Sequence, residues 1–252
     1  MKFKLSPEEV QDMLSCFKPV FPGINGLGIM FETTPQFARE VLPFPLEPTE
    51  VPVVNICIQT GDTYDGMTAY LSCRYGDMEG NYGLGFTMDT DFACIYGREV
   101  WGEPKKLAVT KLVREDNKLI GSVERMGEEI VRIEANILQA GDPNMLAQMD
   151  DFHFKYTLKA DATGIDDAKL VHVHFDNIVR SLDICEITNL SLPKTKHDVY
   201  GNIPVKKILG GFYADFDAQG TGKYIADVDG EKLLPYAFAK HDDYRLLIKK
   251  WF

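Results

Sequence analysis

Along most of this chain the apolar residues fall in short runs of the strand type, broken by turn residues, and only three stretches carry the signature of a helix. Candidate strands are Leu27 to Glu32, Val51 to Gln59, Thr68 to Tyr75, Tyr82 to Met88, Lys118 to Arg125, Ile130 to Leu138, Phe152 to Leu158, Leu170 to Phe175, Asp183 to Leu192 and Lys223 to Tyr236. Turns such as Gly61-Asp62, Glu115-Asp116-Asn117 and Asp229-Gly230 separate them. Ser6-Pro7-Glu8-Glu9 opens a helix that runs to about Cys16, with Ser6 as N-cap, Pro7 in the first helical position and Glu9 closing a capping box. Thr34-Pro35 opens a second, short one through Phe37, Val41 and Leu42, and Asp91 to Arg98 reads as a third. So many strands with so few helices predict a mainly β (α+β) protein. Its antiparallel sheet system curls or closes into a barrel or sandwich with a few peripheral helices, rather than repeating βαβ units.

With 252 residues, 45% of them apolar, the chain can bury a sizeable core, and no repeat, low-complexity tract or linker divides it, so 1–252 is read as a single domain. Acidic residues outnumber basic ones by 38 to 27, a net charge of −11 that disfavours nucleic acid and anionic membrane surfaces as partners. No apolar h-region follows Met1-Lys2-Phe3-Lys4 and no run of about 18 apolar residues occurs, so a cytoplasmic location is expected. Cys16, Cys57, Cys73, Cys94 and Cys185 are odd in number, scattered and mostly within apolar runs, which predicts buried free thiols.

The candidate chemistry lies in Gly97-Arg98-Glu99-Val100-Trp101-Gly102-Glu103-Pro104-Lys105-Lys106-Leu107, where two lysines follow a proline in apolar or conformationally restricted company. Taking an ammonium group out of water favours the neutral amine, and a neutral amine attacks a ketone to form a Schiff base. Residues before proline prefer extended backbone, so side chains of Glu103 to Lys106 alternate between two faces. Lys105 and Glu103 then share one face and Lys106 the other, which makes burial, more than the neighbouring charge, the expected activator of Lys105. Glu103 on the lysine's side is placed to act as a general acid or base.

Gly97-Arg98-Glu99 followed by Pro104-Lys105-Lys106-Leu107 resembles the acetoacetate decarboxylase family, which is known for this lysine chemistry and in which the first lysine of the pair forms the iminium. The resemblance is strong over Gly80 to Ala108, suggestive back to Leu27 and thin after Val109. It implies a single domain of curved antiparallel sheets around an enclosed cavity, homo-oligomeric assembly, and a lyase that needs no cofactor or metal. Lys105 inherits the Schiff-base role, with Glu103 and Lys106 beside it, acting on a small keto acid. The modal outcome is decarboxylation of a β-keto acid; aldol, dehydration or hydration chemistry on the same iminium is the alternative, and a non-catalytic cavity for a small ligand the third. Tyr64, Tyr82 and Trp101 are the candidate substrate-binding residues, with Tyr236 a further tyrosine of suitable type.

The chain departs from the family pattern. Glu103 stands where an aromatic residue often precedes the Pro-Lys-Lys, the family's upstream carboxylates fall on Asn55 and near Tyr64-Asp65, and Gly23-Ile24-Asn25-Gly26 offers no counterpart to its early arginine. Arg98 and Glu99 are read mainly as an ion pair or capping elements.

Other motifs fail their tests. His172 and His174 flank Val173 and share a strand face, but no third metal ligand is recognisable; His153, His197 and His241 stand alone and are read as structural. Gly220-Thr221-Gly222-Lys223 lacks the glycine and hydroxyl residue of a phosphate loop, and Gly80-Asn81-Tyr82-Gly83-Leu84-Gly85 is no dinucleotide fingerprint. No Gly-x-Ser-x-Gly elbow occurs.

Overall fold

The computed structural model describes residues 2–16 and 20–240. In chain order the elements are α1 (Pro7–Cys16), β1 (Val20–Glu32), α2 (Pro35–Val41), β2 (Glu47–Pro48), β3 (Val53–Thr60), β4 (Gly66–Tyr75), β5 (Met78–Met88) and α3 (Asp91–Tyr96). There follow β6 (Lys105–Leu107), β7 (Val109–Glu115), β8 (Lys118–Arg125), β9 (Glu128–Ala140), β10 (Gln148–Leu158), β11 (Ile165–Ser191), β12 (Lys207–Asp227) and α4 (Gly230–Lys240). The helix starts follow the sequence chemistry. The Glu9 N–H donates to Ser6 Oγ at 3.3 Å while the Ser6 N–H donates to Glu9 Oε2 at 2.8 Å, and the Phe37 N–H donates to Thr34 Oγ1 at 3.1 Å.

Two strand expectations need correction. Leu170–Phe175 and Asp183–Leu192 are parts of one continuous strand, the 27-residue β11. Lys223 to Tyr236 is not all strand: β12 ends at Asp227, and Asp229 Oδ1 accepts the backbone N–H of Glu231 at 2.9 Å and of Lys232 at 3.4 Å, so the Asp-Gly pair caps α4 instead of turning a hairpin.

Among the described residues the strands form one 12-stranded sheet in the order β10-β5-β4-β3-β1-β12-β11-β9-β8-β7, with β2 on β4 and β6 on β5. A further pairing of β10 with β11 closes β10, β5, β4, β3, β1, β12 and β11 into a ring. Most pairs are antiparallel; β10 and β6 both run parallel to β5, with Phe152 opposite Tyr82 and Lys105 opposite Phe86. Closing the sheet leaves both faces of several strands covered, so side chains of opposite parity enter different environments. On β10, Phe152 and Phe154 join the main core with Leu27, Ile29 and Ile56. Asp151 and His153 alternate with them and are likewise 0% exposed. A second, aromatic-rich cluster contains Trp101, Phe175, Phe212 and Phe216.

Cys57, Cys73, Cys94 and Cys185 are buried free thiols. The Cys16 side chain and His241 lie outside the described residues. No helix among the described residues is long and apolar enough to cross a membrane.

Candidate active site

The lysine segment is positioned by a chain of backbone constraints. α3 ends at Tyr96 and passes directly into a π-helical turn, Gly97–Trp101, which Gly102 terminates in the left-handed conformation at φ 77°. The N–H groups of Gly102 and Glu103 both donate to the Gly97 carbonyl, that of Glu103 at 3.0 Å. Pro104 then redirects the chain into β6, where the Phe86 N–H donates to the Pro104 carbonyl at 3.1 Å. Gly97 leaves the room this pair occupies: a Cβ on it would stand 2.2 Å from Glu103 Oε2 and 2.5 Å from Lys105 Cδ, so the two side chains would have to shift. The Gly-Arg-Glu glycine therefore lets the Glu103–Lys105 pair lie against the helix backbone. Arg98 and Glu99 are exposed on the outside of the same turn.

Glu103 and Lys105 share a face, as alternation predicts, and Lys105 Nζ lies 2.9 Å from Glu103 Oε2, each side chain 5% exposed. The amine also lies 5.7 Å from the centre of the Tyr64 ring. Burial works against the charge of Lys105, but the Glu103 carboxylate and, after it, Tyr64 outweigh that effect and hold the ammonium more firmly protonated than an ordinary lysine. This corrects the expectation that burial, more than a neighbouring charge, activates the lysine as a neutral amine: the burial is present, and a buried carboxylate partner outweighs it. Lys106 points to the other face, 3.5 Å from Asp198 Oδ2, which also pairs with Arg125 Nε at 3.7 Å.

Lys105 and Glu103 open into a cavity of about 80 Å³ whose walls include Tyr64, Tyr70, Asn55, Gln59 and Asn177 on the polar side. Trp101, Phe175, Phe212 and Phe216 form the apolar side. Trp101 is 4% exposed and meets Tyr96 and Phe175 edge-on, ring centres 5.6 and 5.7 Å away. A Cβ on Gly220 or Gly222 would come within 2.7 or 2.6 Å of its indole, so the glycines that imitate a phosphate loop are the bed of a tryptophan. Burial raises the Tyr64 and Tyr70 phenols above the ordinary tyrosine range, for Tyr70 well above it. Both therefore enter any chemistry as proton-bearing groups.

Of the residues expected at the site, Lys105, Glu103, Tyr64 and Trp101 come together, and Lys106 and Tyr82 do not. Tyr82 lines a second cavity, of about 260 Å³, with Lys106, Asp198, Tyr200 and Tyr236. The reason is a β-bulge: Tyr70 pairs with Gly83 but Ala69 with Gly85, which inserts Leu84 into β5 and reverses the facing of everything before it. Phe86 and Met88 face the lysine side; Tyr82 faces away. His172 Nε2 and His174 Nδ1 both meet Asp150 Oδ1, at 2.6 and 2.8 Å, on the outer side of β10 and β11.

Sequence reasoning missed Tyr70 and Asp151. Asp151 is fully buried, lies beside the Tyr70 hydroxyl and accepts the Asn81 Nδ2–H on Oδ1 at 3.3 Å. Burial, reinforced by Glu103 and Asp150, pushes its carboxyl well above the usual range, against the opposing effect of Tyr70 and Asn81. The signal was available: in Asp151-Phe152-His153-Phe154 polar and aromatic residues alternate, as on a strand whose polar face is enclosed.

Comparison with known proteins agrees with this geometry. The family model described as acetoacetate decarboxylase matches residues 6–228. Acetoacetate decarboxylase 3 of Mesorhizobium japonicum is 32% identical over 100 residues, 38% of this chain and 39% of that protein. Acetoacetate decarboxylase of Burkholderia cenocepacia is 31% identical over 101 residues, 38% and 41% of the two lengths. The aligned stretches thus span about two fifths of these relatives. Among solved structures, acetoacetate decarboxylase from Legionella pneumophila superposes with a TM-score of 0.75 at 24% identity, covering 82% of this chain and 87% of that one. The enduracididine biosynthesis enzyme MppR complexed with pyruvate gives 0.70 at 15% identity, covering 90% and 97%. At these identities the structural likeness establishes the fold.

Proposed function

The chain belongs to the acetoacetate decarboxylase family, and from that premise we propose that it is a lyase in which Lys105 forms a Schiff base with a short-chain keto acid, most often a β-keto acid that loses carbon dioxide. The buried Lys105–Glu103 pair carries this reading. An ammonium ion is not a nucleophile, yet here its proton has a place to go 2.9 Å away. Transfer to Glu103 yields an amine and a carboxylic acid with no change in the net charge of the pair, so no ion has to enter or leave a low-dielectric site. The amine adds to the substrate carbonyl, Glu103 returns the proton to the departing hydroxyl, and water leaves. The iminium replaces the ammonium as the cation beside Glu103.

The iminium then accepts the electron pair of the adjacent bond. If that bond carries a carboxylate, carbon dioxide departs and a neutral enamine remains. The Glu103 charge disfavours a second carboxylate in the ground state, and the substrate's own negative charge is lost as its bond breaks and neutral carbon dioxide leaves. A second outcome, proton removal and carbon–carbon bond formation or dehydration, draws support from Glu103 itself, a carboxylate that lines this cavity 2.9 Å from the lysine nitrogen and so stands beside the iminium as an acid–base group. The cavity's size of about 80 Å³ suits compounds of a few carbons.

The test is reductive trapping. Incubation with acetoacetate or pyruvate and borohydride is expected to fix one adduct per chain on Lys105, found by peptide mass. Lys105→Ala abolishes it, whereas Lys106→Met keeps it, since Lys106 faces Asp198 across the strand. Trapping on Lys106, or on no residue, defeats the proposal; carbon dioxide release separates decarboxylation from the aldol outcome.

A further inference from the structure

Resting on the lysine-iminium reading above, we infer that Tyr70, backed by Asp151, is the acid that protonates the enamine carbon. Counting protons shows why a second acid is required. An ammonium and a ketone give a protonated iminium and water with no proton left over, and hydrolysis of the iminium reverses that account in full. Loss of carbon dioxide converts the iminium to an uncharged enamine by moving the carbon–carbon bonding pair toward nitrogen. At that moment Glu103 is a carboxylate and holds no proton to give. The carbon nevertheless has to gain one before product can be released, so it comes from a group outside the Lys105–Glu103 pair.

Tyr70 and Asp151 have the position and the chemistry. Tyr70 lines the cavity with Lys105 and Glu103, is 6% exposed, and is fixed by Phe86, ring centres 4.9 Å apart, on the strand residue that pairs with Lys105. Behind it, away from the cavity, Asp151 is held by Asn81 of β5 on Oδ1 and lies beside the Tyr70 hydroxyl. With its carboxyl protonated, Asp151 donates to the phenol oxygen, and the phenol proton is free to point into the cavity. In the step itself the enamine π pair forms a carbon–hydrogen bond, the Tyr70 O–H bond breaks, and the Asp151 proton moves onto the phenol oxygen. The iminium is regenerated and Asp151 is left as a carboxylate. Solvent restores its proton between turnovers, which is the one proton that decarboxylation of a β-keto acid consumes overall. A phenol alone is a weak acid at neutral pH; coupled to a carboxyl behind it, it delivers a proton without ever resting as phenolate.

Asp151→Asn and Tyr70→Phe are compared with the unmodified protein, using acetoacetate in excess. In both variants borohydride trapping at Lys105 is expected to stay at the unmodified stoichiometry, and the first carbon dioxide, one per site, to be released in a rapid burst. Steady-state ketone formation is expected to fall by about 10²-fold, in the range typical of a lost general acid. KM should change far less than kcat. Tyr70→Phe keeps the ring against Phe86 and serves where Asp151→Asn does not fold. The inference is overturned if either folded variant forms ketone at the unmodified rate, or if trapping is lost along with turnover, which would place the pair in iminium formation. Absence of any adduct in the unmodified protein removes the lysine reading itself, and this one with it.

Discussion

At the scale of single residues, the decisive comparison is between two effects on one nitrogen. Burial pushes the Lys105 ammonium toward the amine, and Glu103 pulls it back further than burial pushes. Glu103→Gln removes the larger pull and leaves only the weaker one of Tyr64 and Cys94 against burial, so the pH at which half the amine is neutral should move down. Trapping rates measured from pH 6 to 10 would then reach their plateau at lower pH in the variant. The plateau itself should be lower, because glutamine cannot return a proton to the leaving hydroxyl. An unchanged midpoint would mean that Glu103 is not what holds the lysine charged. The pairing was half legible beforehand: alternation across Pro104 places Glu103 and Lys105 on one face, but nothing in a linear pattern says whether a neighbour within 3 Å will win against desolvation. That depends on a distance, and the distance is set by the fold.

At the scale of elements, the site depends on how closely a helix backbone approaches a strand. Gly97, the first residue of the π turn, has no room for a Cβ beside Glu103 Oε2 and Lys105 Cδ as they stand. Gly97→Ala would push the pair outward by about 1 Å while leaving the ring of strands intact, and misplacement of that size costs on the order of 10²-fold in reactivity. Trapping rate against unchanged circular dichroism is the measurement; a variant that traps normally would show that the glycine serves folding alone. The same scale explains which elements were readable. Most strands and the caps at Ser6 and Thr34 follow from local chemistry and were legible, whereas β7 and residues 207–222 of β12 carried no strand expectation. β6, three residues long, and the merging of two segments into β11 were not, because parallel pairing with β5 and a strand continuing past Asp176 are tertiary outcomes. Leu84 is the clearest case. One extra residue, invisible to any two-residue rhythm, moves Tyr82 out of the site and into the neighbouring cavity.

At the scale of the whole molecule, closing the sheet into a ring encloses ionisable groups that an open sheet would leave in water, and folding then acquires a pH dependence. Asp151 is the test case, since its carboxyl is raised well above the usual range, with burial as the first cause. A group raised on folding favours the folded state most when protonated: its contribution is complete below the ordinary carboxylate pKa of about 3.9 and is lost as pH climbs from there through the folded-state value, by up to about 1.4 kcal/mol per pH unit. Carboxylates held low work in the opposite direction, Asp217 by the Gly23 N–H and Arg180, and Asp150 by its two histidines against its own burial. The unmodified protein's overall curve is a sum that hides each contributor. Comparison with Asp151→Asn isolates this one, because the amide is neutral at every pH. The gap between the two thermal unfolding midpoints should be smallest for the variant's advantage near pH 4 and should widen steadily in the variant's favour as pH rises toward neutrality, then level off once Asp151 has ionised. Curves that run parallel across that interval would mean that Asp151 is ionised in the folded protein throughout, and a group with no proton to hold could not stand behind Tyr70.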